Sequence, residues 1–288
     1  MIYLVLSILI SSLLFVIFKL FDVFKINTLQ AIVVNYAIAL SFGLVTSNTT
    51  VSIIEIPKQS WFIGAFCLGF LFISIFNVMG ITAQKNGLSV ASVAGKMSVV
   101  IPIVFGIIVY NEGTNFVKII GILMALVAVY LSSAKSDTNP VKFKNLLFPL
   151  ILFVGSGVLD TTLKYVETTS VSNGEEPMFL ATIFGCAFIL GVFVVITQMI
   201  NGKFKFQWKN ILGGIALGIP NYYSIVYLLK ALNTNGLESS SLFTLNNVGI
   251  VILSTLLGLL LFNEKLQIKN WIGIAIAIIS ISLIAGFS

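Results

Sequence analysis

Lys96 is a charged residue set in the middle of a long apolar run, about eight residues or roughly 12 Å inside the stretch that begins at Leu88. Against lipid it would cost roughly 2.5 to 3.5 kcal/mol, so it must face protein or a wet cavity. Its helix neighbours Ser89, Ser92 and Ser98 make its surroundings small and polar. Two roles stay open for it: a cation that pairs with an anionic group on a solute, or a structural partner of Asp160 or of a backbone carbonyl. Asp160 and Lys164 are four apart and share one helix face. Asp160 can serve as a proton-coupling or cation-binding carboxylate, or the two can form a local ion pair at a helix end. Lys19 with Asp22, and Lys164 with Glu167, repeat an i,i+3 pair. They read either as matching gates at two mouths of a pathway or as lysines snorkelling from helix ends.

More polar surface follows in the run Gly218-Ile219-Pro220-Asn221-Tyr222-Tyr223 and at Tyr227. Pro220 frees a carbonyl, and bared carbonyls at membrane depth line cavities rather than lipid. Asn221, Tyr223 and Tyr227 can hydrogen-bond a solute, whereas Tyr222 equally suits an interfacial aromatic belt. Asn77, Asn246 and Asn247 also lie inside apolar runs, as solute contacts or as glue between helices. Gly155, Gly157, Gly214 and Gly218 suit close helix crossings.

These residues need elements to hold them, and composition says what kind. The chain is 58% hydrophobic and 9% charged, far from the roughly 25% charge of a soluble domain, so hydrocarbon is its main solvent. A span needs about 20 mostly apolar residues, and ten stretches qualify. The first five are Ile2 to Leu20, Leu29 to Val45, Trp61 to Gln84, Leu88 to Tyr110 and Phe116 to Leu131. The second five are Leu146 to Tyr165, Met178 to Ile200, Ile211 to Leu232, Leu237 to Phe262 and Trp271 to Phe287. Short connections with turn chemistry join them, among them Lys85-Asn86-Gly87, Asn111-Glu112-Gly113 and Asn233-Thr234-Asn235-Gly236. The first stretch lacks a charged n-region and a cleavage site, so it is expected to be a retained span rather than a removed signal. Cys67 and Cys186 sit in apolar runs and form neither a disulfide framework nor a metal-ligand spacing. No metal or cofactor is expected.

The chain also repeats itself. Asn111-Glu112 recurs as Asn263-Glu264 at an offset of 152, and Lys85-Asn86-Gly87-Leu88-Ser89 recurs as Thr234-Asn235-Gly236-Leu237-Glu238 at an offset of 149. Two halves follow, residues 1–140 and 141–288, each of five spans. A unit that crosses the membrane an odd number of times leaves its copy upside down. The fold class expected is therefore all-α and integral to the membrane, ten helices as two inverted five-helix repeats. Inverted repeats characteristically build secondary transporters.

The span count, the duplicated halves, the Asn-Gly-Leu-Ser entry to the fourth span and the Asn-Glu turns after spans four and nine resemble the drug/metabolite transporter superfamily, EamA type. The resemblance covers nearly the whole chain. It implies a central cavity lined by spans one, three, four, six, eight and nine, with five and ten at the periphery. Members move amino acids, metabolites, drugs or phosphorylated solutes, so the resemblance implies a small-molecule solute as partner and protons as a candidate coupling ion.

Of the lysines outside Lys19, Lys96 and Lys164, ten lie in odd-numbered connections and only Lys58, Lys118 and Lys230 on the even side. The positive-inside rule then makes the odd connections cytoplasmic and leaves both termini outside, whereas the resemblance implies cytoplasmic termini. The sequence holds no histidine and no Gly-x-Ser-x-Gly elbow, and Asp160 is the one acid well inside a span, so an intramembrane hydrolase lacks its parts. All 16 bases are lysines and most are scattered over short connections rather than along one face, which argues against a nucleic-acid partner. The function expected is secondary transport of a small polar organic metabolite across the inner or plasma membrane by alternating access, with membrane lipid as the surrounding partner. The alternatives are a non-transporting structural membrane protein or a channel.

Overall fold

The computed structural model describes residues 2–46, 53–109, 116–132, 143–172, 174–202, 204–232 and 239–286. Every regular element among them is helical: α1 (Ile2–Val23), α2 (Thr28–Thr46), a short 3-10 turn (Ile53–Lys58), α3 (Phe62–Asn86), α4 (Leu88–Met97), α5 (Val100–Val109), α6 (Phe116–Ser132), α7 (Phe143–Ser170), α8 (Glu176–Ile200), α9 (Trp208–Leu232), α10 (Ser239–Phe262) and α11 (Ile268–Gly286). Hydrocarbon offers the backbone no partners, so apolar runs of this length close their hydrogen bonds within themselves. The connections expected at 47–50, 111–113, 136–140 and 233–236 lie outside the described residues.

Eight helical stretches are long and apolar enough to cross a membrane, with Leu88–Val109 counted as one, and α6 and α11 supply two shorter apolar stretches. The chain is a multi-pass α-helical membrane protein. Its outward surface agrees: Ile63, Phe70, Leu123, Phe193 and Leu260 are all exposed.

The fourth expected span departs from the sequence reading, because it is two helices rather than one. Pro102 has no N–H to give the carbonyl four residues back, and its ring crowds that carbonyl. The Ser98 carbonyl instead accepts from Ile101 N–H at 2.9 Å, a tighter 3-10 bond, and α4 ends at Met97 before α5 begins at Val100.

The chain divides into two compact units, one of Met1–Leu20, Val78–Val158 and Tyr223–Ser288, the other of Phe21–Asn77 and Leu159–Tyr222. Each therefore draws residues from both sequence halves.

In the first unit α6 and α11 form the most extensive pairing, and α4 packs against α10, α6 and α11. α6 and α11 run antiparallel, since Gly121 meets Ile284 while Gly273 meets Ser132. Polar groups pin the two ends of this pair. Ser280 Oγ donates to the Gly121 carbonyl at 2.7 Å, and Asn270 Nδ2 donates to the Ser132 and Leu131 carbonyls that end α6, at 2.8 and 3.2 Å. α1 joins the unit through Leu4 and Ile8, which pack with Ala231 of α9 and Leu242 of α10.

In the second unit α2 pairs with α8, antiparallel, Gly43 against Ala181 and Gly191 against Val33. The first half of α9 runs parallel to α2, with Gly214 on Ala31 and Val34 and Gly218 on Asn35 and Ile38. The amide of Asn210 opens this contact by donating to Gln30 Oε1 at 2.6 Å. Trp61, fully buried at the head of α3, donates from its indole to Glu175 Oε2 at 3.1 Å and so ties α3 to the start of α8. On the outer surface Phe66, Cys67, Phe70, Leu71, Thr162 and Leu190 line an apolar groove of about 390 Å³.

The Gly273 contact is with backbone, which cannot yield as a side chain would. A Cβ at Gly273 would lie 2.5 Å from Ser132 N, whereas one at Gly185 would meet Leu40 at an ordinary 3.5 Å. Gly273→Ala is therefore expected to destabilise the protein by about 1 to 3 kcal/mol, and Gly185→Ala to leave it near the parent, as thermal unfolding in detergent would measure.

Candidate functional site

The first unit surrounds α4 almost completely. Residues 88 to 94 are buried, as are Met97 and Ser98, and only Gly95, Lys96 and Val99 are partly accessible. A Cβ added at Gly95 would meet nothing within 4 Å, so open space adjoins the third turn of α4. Lys96 stands at this opening, in the last helical turn before the break. That end of α4 carries carbonyls with no intrahelical donor, and Ser98 Oγ takes up one of them, Gly95 O, at 2.6 Å. A lysine there also complements the negative end of the helix dipole. Ser98 thus lies beyond the end of α4, and not on the Lys96 face that the sequence reading assigned to it. Ser92 does share that face but is fully buried, its hydroxyl turned back to the Ser89 carbonyl at 3.0 Å.

The other end of α4 is held by a residue whose role the sequence reading missed. The N-cap is Gly87, with φ at 107° and no side chain to offer as a cap. Glu264 supplies the acceptor instead: Oε1 takes the Leu88 N–H at 2.7 Å, and Oε2 takes the Ser89 hydroxyl at 3.4 Å. It reaches there because Asn263 adopts φ 50°, a left-handed conformation asparagine tolerates, so the chain folds back and Glu264 N–H meets the Gly258 carbonyl at 3.1 Å. The repeated Asn-Glu pair was the available signal, and the missing cap at Gly87 was its complement. The earlier copy, Asn111-Glu112, lies outside the described residues.

The Glu264 carboxylate joins Leu88, at the start of α4, to Gly258 in the last turns of α10, so the two packed helices run antiparallel with Leu88 level with Gly258. At 1.5 Å per residue this brings Asn246 and Asn247 within about one turn of the depth of Lys96. Asn247 is half-buried. Asn246 is 2% exposed, and its Oδ1 has no hydrogen-bond partner among the described residues.

Tyr223 and Tyr227 form a stack with Tyr3, at ring separations of 5.9 and 6.2 Å, and the Lys230 ammonium lies 5.8 Å from the Tyr3 ring. They continue the α9 face that carries exposed Trp208, Leu212 and Ile219, an arrangement that suits an interfacial belt with its snorkelling lysine. Lys19 donates to the Gln84 carbonyl at 2.9 Å while Gln84 Nε2 donates to Phe18 O at 3.1 Å, so it ties α1 to the last turn of α3. Its expected partner Asp22 instead pairs with Lys25 at 3.4 Å.

Within the second unit, Asn221 is buried and donates through Nδ2 to Asn35 Oδ1 at 3.1 Å, a pairing of amides between α9 and α2. Asn77 donates back to its own helix at Ile73 O, 2.8 Å, on the face of α3 that also carries Phe66 and Phe70. Asp160, Lys164 and Glu167 are all exposed, although no ion pair joins Asp160 to Lys164 among the described residues. The three fall within an arc of about 60° on α7. Lipid-facing Ile151, Val154, Val158 and Tyr165 lie on the far side, about 130° round. Earlier in the helix the charged face is buried, at Pro149, Phe153, Ser156 and Gly157. An interior face thus becomes accessible and charged in the last third of α7, which hydrocarbon would oppose and water permits.

No family model matches the chain. A protein of Haemophilus influenzae, described only as uncharacterized, is 27% identical over 258 residues, covering 88% of this chain and 86% of its own. A crystal structure superposes with a TM-score of 0.62 over 98% of this chain and 94% of the other, at 15% identity. That likeness is one of fold.

If the charged face of α7 meets water, Lys164→Cys and Glu167→Cys, in a background lacking Cys67 and Cys186, will react with a membrane-impermeant thiol reagent, and Val158→Cys will not. Equal protection at all three positions would remove the watery face.

Proposed function

We propose that the protein is a secondary transporter of a small polar organic metabolite, working by alternating access, and that Lys96 meets an anionic group on the solute. The observation that carries this reading is the broken fourth span. The one accessible turn of α4 bears a lysine, next to open space at Gly95. Discontinuous helices at membrane depth are the usual makers of solute sites in transporters, because the break leaves unsatisfied backbone and dipole ends where a ligand can use them.

Three further features support the reading. Asn247 lies near the depth of Lys96. The charged face of α7 carries Asp160 some ten residues, or about 15 Å, in from Ser170, as a candidate coupling carboxylate. The helix pairs α2 with α8, α4 with α10 and α6 with α11 join spans two and seven, four and nine, and five and ten. Each is antiparallel, as an inverted five-span repeat of the drug/metabolite transporter type requires. A purely structural membrane protein would have no use for a lysine and an aspartate kept accessible at this depth.

Reconstitution into liposomes with a panel of labelled amino acids, organic acids and sugar phosphates tests the proposal. Saturable uptake of at least one acidic solute is expected, and none from the whole panel would end it. Lys96→Ala should lower uptake about 10- to 100-fold, the worth of a hydrogen bond to a charged group, with Lys96→Arg retaining part of it. A folded Lys96→Ala protein that transports normally would return Lys96 to a structural role. Asp160→Asn is expected to flatten the dependence of uptake on pH, and an unchanged profile would exclude proton coupling through that residue.

A further inference from the structure

Glu264 sits in a socket shaped for its carboxylate. On one wall the N-terminus of α4 offers the Leu88 N–H and the Ser89 hydroxyl. The other walls are two glycines. A Cβ at Gly87 would stand 2.9 Å from both carboxylate oxygens, and one at Gly258 would stand 2.6 Å from Oε2. The positive end of the α4 dipole points at the carboxylate. The residue is donated by the chain just after α10, so one side chain bonds the start of α4 to the end of its packing partner. α4 spans only ten residues and is cut from α5 by the break at Ser98 and Val99. Without the socket, this short helix would be anchored at its first turn by packing alone.

We propose that Glu264 is the positioning residue of the candidate site: its carboxylate clamps α4 to α10, so that Lys96 and Asn247 are carried as parts of one rigid body. The role given to Lys96 rests on the transport reading, whereas the clamp itself does not. Glu264 touches no solute in this scheme. It acts through the first turn of α4, about 12 Å from the lysine it orients.

The test reads the position of α4 directly. Gly95→Cys, in a background without Cys67 and Cys186, places a thiol where a Cβ meets nothing within 4 Å, so the probe fits without displacing its neighbours. Its rate of labelling by a small maleimide is then compared between variants that elute as single species in detergent. Glu264→Ala is expected to raise the rate about tenfold, the lower end for a lost hydrogen bond to a charged group. Glu264→Gln keeps an acceptor for the Leu88 N–H and should stay nearer the parent. Gly258→Ala crowds the carboxylate from outside and should also raise the rate, and combining it with Glu264→Ala should add nothing further, because both break the same contact.

An unchanged rate in Glu264→Ala, or full additivity in the double variant, would overturn the clamp. If Glu264→Ala does not fold, Gly258→Ala decides alone, and a parental rate there overturns it. In liposomes the same variants should raise the solute KM more than they lower the maximal rate. Faster labelling with no uptake by any variant, parent included, would keep the clamp and discard transport.

Discussion

A bilayer gives a polar group nothing to bond to, and the structure is organised around that fact. Among the described residues the apolar segments are helical, the fourth with one break, and the polar side chains that enter with them mostly find partners in protein. Asn221 meets Asn35, Asn210 meets Gln30, and Ser280 meets the Gly121 carbonyl. Asn77 folds back on its own helix. Such bonds add modest energy, since an unfolded chain in the membrane also finds partners. They act more as registers, because an amide a few ångströms out of place leaves a donor or acceptor stranded in a medium without water.

Close helix packing depends on the same constraint. Lipid tails are as apolar as leucine, so burial alone gives helices little reason to prefer one another, and contact area has to come from close approach. Small residues supply it at Gly43, Gly121, Gly214, Gly218 and Gly273. Where the α6 and α11 backbones come that near, the amide of Asn270 can reach the last carbonyls of α6. Packing and polar satisfaction are then one arrangement.

The fourth span is where the constraint is relaxed. Pro102 interrupts its ladder, and the resulting α4 has an acidic clamp at one end and a basic residue at the other, both in the sense the helix dipole favours. That symmetry gives Lys96 a structural rationale even without a solute. Open space beside that turn, at Gly95, is what leaves room for a solute as well. The charged face of α7 makes the same point in the second unit, where Asp160, Lys164 and Glu167 stay exposed on one arc of the helix.

Hydropathy and length determined the helices. Every expected span coincides with a helix to within a few residues, except the fourth, because the length of an apolar run and the bilayer thickness are local quantities that a chain carries in its own order. Pro102 was visible too, but whether a proline bends a span or splits it depends on what neighbours the freed carbonyl, and that is settled only by packing. The same limit applies to the polar residues. Their presence at depth could be read from their neighbours in sequence, while the choice of Asn35 for Asn221, Gln84 for Lys19 and the Leu88 N–H for Glu264 joins positions 65 to 186 residues apart. Periodicity says which face of a helix a side chain occupies. Only the tertiary structure decides what stands opposite that face, because hydrogen bonds select by distances of tenths of an ångström between chain segments that the sequence keeps far apart.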